Sequence, residues 1–134
     1  MCIRDSKVST NTNEEFISHN VLLAIGRRGS PRKLNVPGED LPKVAYRLLE
    51  PENITGKKVI VVGGGDSGLE YGIMLMDQNE VSICIRDEVF PRCKPKNKEL
   101  ATAANESGKL KLLFKSGVVS IAEDSVLVLS LIHI

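Results

Sequence analysis

A chain of 134 residues holds one domain, or one domain and pieces of another. Its formal net charge of +1, with no face obviously basic, offers nothing to attract nucleic acid, and no apolar run approaches the roughly 18–20 residues that cross a bilayer. Cys2, Cys84 and Cys93 form neither a C-x-x-C pair nor a metal-ligand spacing, so a reducing, cytoplasmic setting without a metal centre is expected; with Trp absent, the core must be aliphatic.

The two ends, residues 1–6 and 129–134, resemble translated sequencing adapter, so the chain is expected to be an internal fragment; both ends are set aside. Lys7 to Thr10 and Glu15 to Ser18 alternate around Asn11-Thr12-Asn13 and read as a β-hairpin. Val21-Leu22-Leu23-Ala24-Ile25 is a continuous apolar run, expected to be a strand buried on both faces and ending at Gly26. Gly29, Pro31, Pro37 and Gly38 then mark a long connection. The apolar spacing of Leu41, Val44, Ala45, Leu48 and Leu49 permits a short helix within Leu41 to Glu50.

Lys58-Val59-Ile60-Val61-Val62 is an apolar strand that runs directly into Gly63-Gly64-Gly65-Asp66-Ser67-Gly68. Gly63, Gly65 and Gly68 fit the G-x-G-x-x-G spacing, in which the glycines provide a tight turn, close backbone approach to a pyrophosphate, and close packing of helix on strand. A helix starting near Asp66 would direct free N–H groups and the positive end of its dipole at that diphosphate. Asp66 and Ser67 fit two roles at this point, helix capping or direct phosphate contact. Leu69, Gly72, Ile73, Leu75 and Met76 mark the packed helix face, with Gly72 held by close packing. Glu80 to Ile85 is the second strand, and the span from Lys57 to Arg86 matches the roughly 30-residue βαβ unit.

Phe90 to Asn97 carries two prolines and the basic residues Arg92, Lys94 and Lys96, and reads as a loop. A helix is expected over Lys98 to Ser107, stopped by Gly108 in the left-handed position. Leu110 to Phe114 reads as a third strand, with Val118 to Ile121 and Val126 to Val128 as an antiparallel appendage. The resulting fold class is α/β, a Rossmann-type βαβ with a parallel sheet plus flanking strands.

The end of the second strand reaches the adenosine ribose in such folds, where an acidic residue serves a free 2′-hydroxyl and a basic one a 2′-phosphate. Here Val81-Ser82-Ile83-Cys84-Ile85 is followed by Arg86, which argues against FAD in this site and for NADPH. The charge-assisted contact is worth about 1.5–3 kcal/mol. Asp87 counters it: turned inward, it would repel a 2′-phosphate and suit NADH. The same strand end disfavours a methyltransferase-type site, whose adenosine is also held by an acidic strand end.

Residues 59–70, from Val59 through the glycines to Glu70, resemble the NADPH-binding core of thioredoxin-reductase-like flavoproteins. The segment from Val21 through Gly26 to Pro37-Gly38-Glu39 resembles the strand by which the FAD domain of that family hands the chain to its inserted NADPH domain. The resemblance covers about residues 7–128 and implies FAD-domain strands and hinge over 7–40 and an NAD(P)-binding Rossmann domain over 41–128. It implies that Gly63, Gly64, Gly65, Asp66, Ser67 and Gly68 surround the pyrophosphate, and that Arg86 matches the first arginine of a basic 2′-phosphate motif, with Asp87 in place of the second. Glu70 would lie near the nicotinamide–flavin contact, and Gly26 would approach FAD.

The implied activity is hydride transfer from NADPH (or NADH) to FAD and on to an acceptor, a redox protein or a disulfide, in a protein that admits a homodimer. No acid–base residue is expected in this part of it. Thioredoxin reductases carry C-x-x-C just before this strand, whereas Tyr46 to Lys58 holds no cysteine, so the likeness is to cysteine-less members such as ferredoxin–NADP reductases or the bacillithiol-disulfide-reductase-like group. The reading from another class is a non-catalytic NAD(H)-sensing regulatory module.

Overall fold

A computed structural model describes residues 5–22, 24 and 31–130. The chain divides into two compact units, one through Pro31 and one from Arg32. In the first, β1 (Ser6–Ser9) and β2 (Glu15–Ser18) pair antiparallel in the register Ser6 to Ser18 and Ser9 to Glu15. Asn13 closes the turn at φ 62°, a left-handed conformation that asparagine tolerates, and Thr10 and Asn13 make the turn's backbone bonds. Lys7 and Glu15 add an exposed ion pair at 2.7 Å.

The described part of the apolar run beyond this hairpin departs from expectation. Val21, Leu22 and Ala24 lie in no strand, and Leu22 is 91% exposed. A two-faced buried strand needs neighbours on both sides, and the described sheet of this unit has two strands only. Leu23, Ile25 and Gly26 lie outside the described residues.

The second unit is built on a parallel sheet of three strands in the order β3-β4-β5: β3 (Lys58–Val62), β4 (Glu80–Cys84) and β5 (Leu110–Leu113). β3 pairs with β4 from Lys58–Glu80 to Val62–Cys84, and β4 with β5 from Val81–Leu110 to Cys84–Leu113. The central strand is therefore the buried one, with Val81, Ile83 and Cys84 all at or below 1% exposure. Helix α1 (Asp66–Leu75) joins β3 to β4, and α2 (Pro95–Glu106) joins β4 to β5. Leu69 and Leu75 from α1 and Ala101 and Ala104 from α2 meet Val81, Ile83, Ile85 and Leu110 in one aliphatic core, edged by Phe90 and Phe114.

Gly72 shows why a helix interior tolerates glycine here: a Cβ on it would lie 2.5 Å from Ile83 Cδ1. At the far end of α2, Gly108 adopts φ +77° and its N–H reaches the Asn105 carbonyl at 3.2 Å, while Lys109 bonds the Ala104 carbonyl. Asn79 fixes the entrance to β3, accepting from the Lys57 N–H at 3.0 Å and donating to the Ile54 and Leu75 carbonyls.

The hairpin β6 (Ser116–Ile121) and β7 (Val126–Ser130) comes next, with a register shift between Val118 and Ser120. β7 continues to Ser130, into the segment set aside on sequence. The stretch 32–40, grouped above with the first strands, packs in the second unit: the Ile121 N–H bonds the Pro37 carbonyl at 2.8 Å, and a Cβ on Gly38 would overlap the Ile121 carbonyl oxygen.

The helix expected within Leu41 to Glu50 does not form; turns occupy the segment, and a single 3-10 turn stands at Pro51–Asn53. Tertiary bonds take the place of helical ones. Lys43 Nζ donates to the Glu123 and Ser125 carbonyls at the β6–β7 turn, and the Tyr46 hydroxyl donates to Glu39 at 2.9 Å. Helix α2 begins three residues earlier than expected, because Pro95 occupies the first helical turn, where its missing N–H costs nothing.

Two substitutions rank the close contacts. Gly72→Ala gains about 1 kcal/mol of helix propensity but overpacks Ile83 at about 1–3 kcal/mol, so a net loss of about 1 kcal/mol is expected. Gly68→Ala meets backbone rather than a side-chain end, since its Cβ would overlap the Gly63 carbonyl oxygen. It should cost more, about 3 kcal/mol. Urea midpoints of the two variants check the order, and the reverse order would refute it.

Candidate dinucleotide site

The candidate site is the turn between β3 and α1. Gly63 carries φ +110°, a conformation open to glycine, and its N–H bonds the Cys84 carbonyl at 2.9 Å, continuing the ladder to the neighbouring strand. Gly64 is buried, and a Cβ there would lie 2.9 Å from Ile85 Cγ1. Gly65 is the N-cap of α1, with open space where its Cβ would stand. Gly68 lies against the Gly63 carbonyl. The three motif glycines thus differ in kind: one turns the chain, one leaves room, one seats the helix.

The first turn of α1 has no side-chain cap. Its carbonyl bonding begins with the Leu69 N–H on the Gly65 carbonyl at 3.0 Å, so the N–H groups of Asp66, Ser67 and Gly68 stand ahead of the helical ladder. The capping role weighed for Asp66 and Ser67 is therefore overturned. Ser67 is exposed at the helix end. Asp66, the first helical residue, is bonded elsewhere: its Oδ1 accepts the Lys94 backbone N–H at 2.7 Å and Asn97 Nδ2 at 2.9 Å. These two bonds, the first foremost, hold its carboxyl below the ordinary 3.8.

Glu70, one turn on, joins the same cluster. Its Oε1 accepts from Asn97 Nδ2 at 3.0 Å and lies 3.9 Å from Lys94 Nζ. Asn97 is 8% exposed, and sequence reasoning misses it by placing it at the end of an expected loop. The signal that could have found it is Lys94-Pro95, a helix start that places Asn97 in the first turn of α2.

Arg86 stands at the carboxyl end of the central strand, immediately after Ile85, whose own backbone is fixed by the Leu113 carbonyl and the Ser116 N–H. Arg86 and Asp87 are both exposed. Glu88 is paired with Lys115, and the Asp87 carbonyl accepts the Lys115 N–H at 3.1 Å. Further along the loop, Phe90 meets Phe114 edge-on at 5.2 Å, and Lys98 Nζ lies 5.8 Å from the Phe90 ring centre. The structure brings Gly63, Gly64, Gly65, Asp66, Ser67, Gly68, Glu70 and Arg86 to the carboxyl ends of two adjacent strands, which is where open α/β sheets take their ligands.

Over residues 4–130 the chain matches the family described as pyridine nucleotide-disulphide oxidoreductase. The chain belongs to that family. Among its relatives, a ferredoxin–NADP reductase of Ignicoccus hospitalis is 36% identical over 84 residues, covering 62% of this chain and 28% of the relative. The bacilliredoxin reductase of Bacillus subtilis is 29% identical over 121 residues, covering 89% and 37%. A bacillithiol disulfide reductase structure from Staphylococcus aureus shares the fold at TM-score 0.79, with 24% identity and coverage of 94% and 43%. The chain thus spans between 28% and 43% of the lengths of these relatives.

In this pyridine nucleotide-disulphide oxidoreductase segment, the two described thiols are withdrawn from the surface to different degrees. Cys84 is buried in the central strand, where desolvation raises its pKa against the lowering effect of Ser116, and Cys93 packs at the edge of the core. No described helix is long and apolar enough to cross a membrane.

The depressed carboxyl of Asp66 gives a pH signature. A lowered folded pKa contributes stability that is complete above the ordinary value of 3.8 and is lost as pH falls through the folded value. Acidification below pH 3.8 should lower the melting midpoint of the wild type more steeply than that of Asp66→Asn. Parallel slopes would remove Asp66 from the account.

Proposed function

We propose that this chain is the nicotinamide-nucleotide-binding part of a flavin-dependent oxidoreductase, taking NADPH at the turn from Gly63 to Gly68. The observation that carries the reading is the uncapped first turn of α1 beside an open Gly65, with Arg86 exposed at the end of the adjacent strand. The three free N–H groups would bond the pyrophosphate, and the helix dipole would favour its charge. Arg86 makes no hydrogen bond or ion pair among the described residues, so its guanidinium is available to a 2′-phosphate. Asp87 stands next to it with the opposite charge, and the net preference is the balance of the two.

NADPH, when bound, supplies the hydride, and FAD receives it. The part of this chain's residues is to bind, orient and set charge. The glycine turn fixes one end of the nucleotide, and Arg86 selects its ribose. Glu70 is assigned to the nicotinamide side by family position, and Gly26 to the FAD side. The relatives' names point to a ferredoxin or a thiol–disulfide compound as the final acceptor. The absence of cysteine from residues 46–58 supports an acceptor reached without a redox pair ahead of β3.

In the full-length protein, Arg86→Ala is expected to weaken NADPH binding by about 10- to 150-fold, the size of one charge-assisted contact. NADH binding should change less than about twofold, since the 2′-hydroxyl takes no such contact. Fluorescence titration with both nucleotides measures this, and equal losses would remove Arg86 from the 2′-phosphate. Bleaching of flavin absorbance by NADPH in the same preparation tests the enzyme reading. A protein without flavin that still binds NADH would favour the sensing module.

A further inference from the structure

The network between the two helices presents a problem that its geometry also answers. Asp66 is the first residue of α1, so a carboxylate with a lowered pKa sits on the same turn whose N–H groups stand ahead of the helical ladder. A carboxylate free to lie over that turn would occupy the N–H groups itself and repel any anion approaching them. In the structure it does not. Its Oδ1 is held by the Lys94 N–H and by Asn97 Nδ2, both from the start of α2.

Asn97 is the shared element. Its single amide nitrogen has two protons, and it donates one to Asp66 at 2.9 Å and one to Glu70 at 3.0 Å. Two carboxylates facing one amide also fix its orientation, because the reversed amide would set its oxygen against two anions. The residue is 8% exposed, so water does not stand in for it readily. Lys94 assists from the rim, its Nζ lying 3.9 Å from Glu70.

We infer that Asn97 is a positioning residue for anion binding: it holds the Asp66 carboxylate against α2 and so keeps the first turn of α1 open to a phosphate group. The inference rests on the reading that this turn takes a dinucleotide pyrophosphate, and it extends that reading to a residue on the next helix. Asn97 acts through Asp66, and its bond to Glu70 fixes the orientation of the amide that makes the contact.

The inference separates from a merely structural role by a double-mutant cycle in the full-length protein, with NADPH and NADH as probes. Asn97→Ala should weaken both nucleotides together, by about three- to tenfold, because Asp66, left on the Lys94 N–H alone, is freer to swing toward the pyrophosphate they share. In the Asp66→Asn background the same substitution should change either affinity by less than about twofold, since no carboxylate at position 66 remains to be released. Equal losses in both backgrounds would overturn the inference, leaving Asn97 as a strut between helices. A loss confined to NADPH would overturn it too, by placing the effect at the ribose. If the wild type binds neither nucleotide, the dinucleotide reading itself fails, and the inference falls with it. Should Asn97→Ala be too unstable to assay, Asn97→Ser retains one donor and is expected to give the same pattern at smaller amplitude, with the same non-rescue as the overturning result.

Discussion

The contact on which the second unit depends is the seating of α1 against the turn that precedes it. Gly68 meets the Gly63 carbonyl with no room for a side chain between them, and one turn later Gly72 lies against the end of the Ile83 side chain. Two side-chain-free positions on one helix face bring the axis closer to the sheet than Leu69 and Leu75 alone would allow. That closeness decides where the N–H groups of the first turn are aimed, because a helix lifted at Gly68 would tilt away from the strand end. The geometry of the uncapped helix end is thus set by packing along its length.

The parts legible in the sequence are those whose signals are local. The run Lys58 to Val62, the spacing of Gly63, Gly65 and Gly68, and the stop at Gly108 each act within a few residues, and each stands where the sequence places it. The strand, helix, strand order needs nothing further, and the aliphatic core accords with the composition. The segment Leu41 to Glu50 has helical spacing but not helical structure, since Lys43 and Tyr46 bind groups elsewhere in the unit, Lys43 at the β6–β7 turn. Val21 to Ile25 has the composition of a buried strand, yet Val21 and Leu22 are exposed, because burial belongs to the neighbours of a strand and not to the strand.

Asn97 is illegible for a related reason. Its meaning lies in Asp66, 31 positions away, and the prolines around it read as breakers until Pro95 is seen in the first turn of a helix. A breaker and a helix start use the same residue, and only the periodicity of the next two turns separates them. The same distance obscures Asp66. On sequence it has two roles, cap or phosphate contact, and its bonds are to neither the cap position nor an open face but to α2.

A parallel sheet explains why these distant residues can share one site. Parallel pairing of β3 and β4 sends both carboxyl ends the same way, so the glycine turn after β3 and Arg86 after β4 emerge side by side. An antiparallel pair would place them at opposite edges. The loop that leaves β4 must then cross the end of the sheet to begin α2, and it is held at both ends: by Lys115 on Asp87 at the start, and by Asp66 on Lys94 at the close. Of the acidic residues on that path, Glu88 is neutralised by Lys115, which leaves Arg86 and Asp87 as the opposed pair. The charge immediately after β4 is therefore that of two adjacent residues, while the Asp66 carboxylate on the glycine turn is held from the next helix. On the proposed reading, selectivity for a diphosphate and selectivity for a 2′-substituent would rest on different residues and could be altered independently.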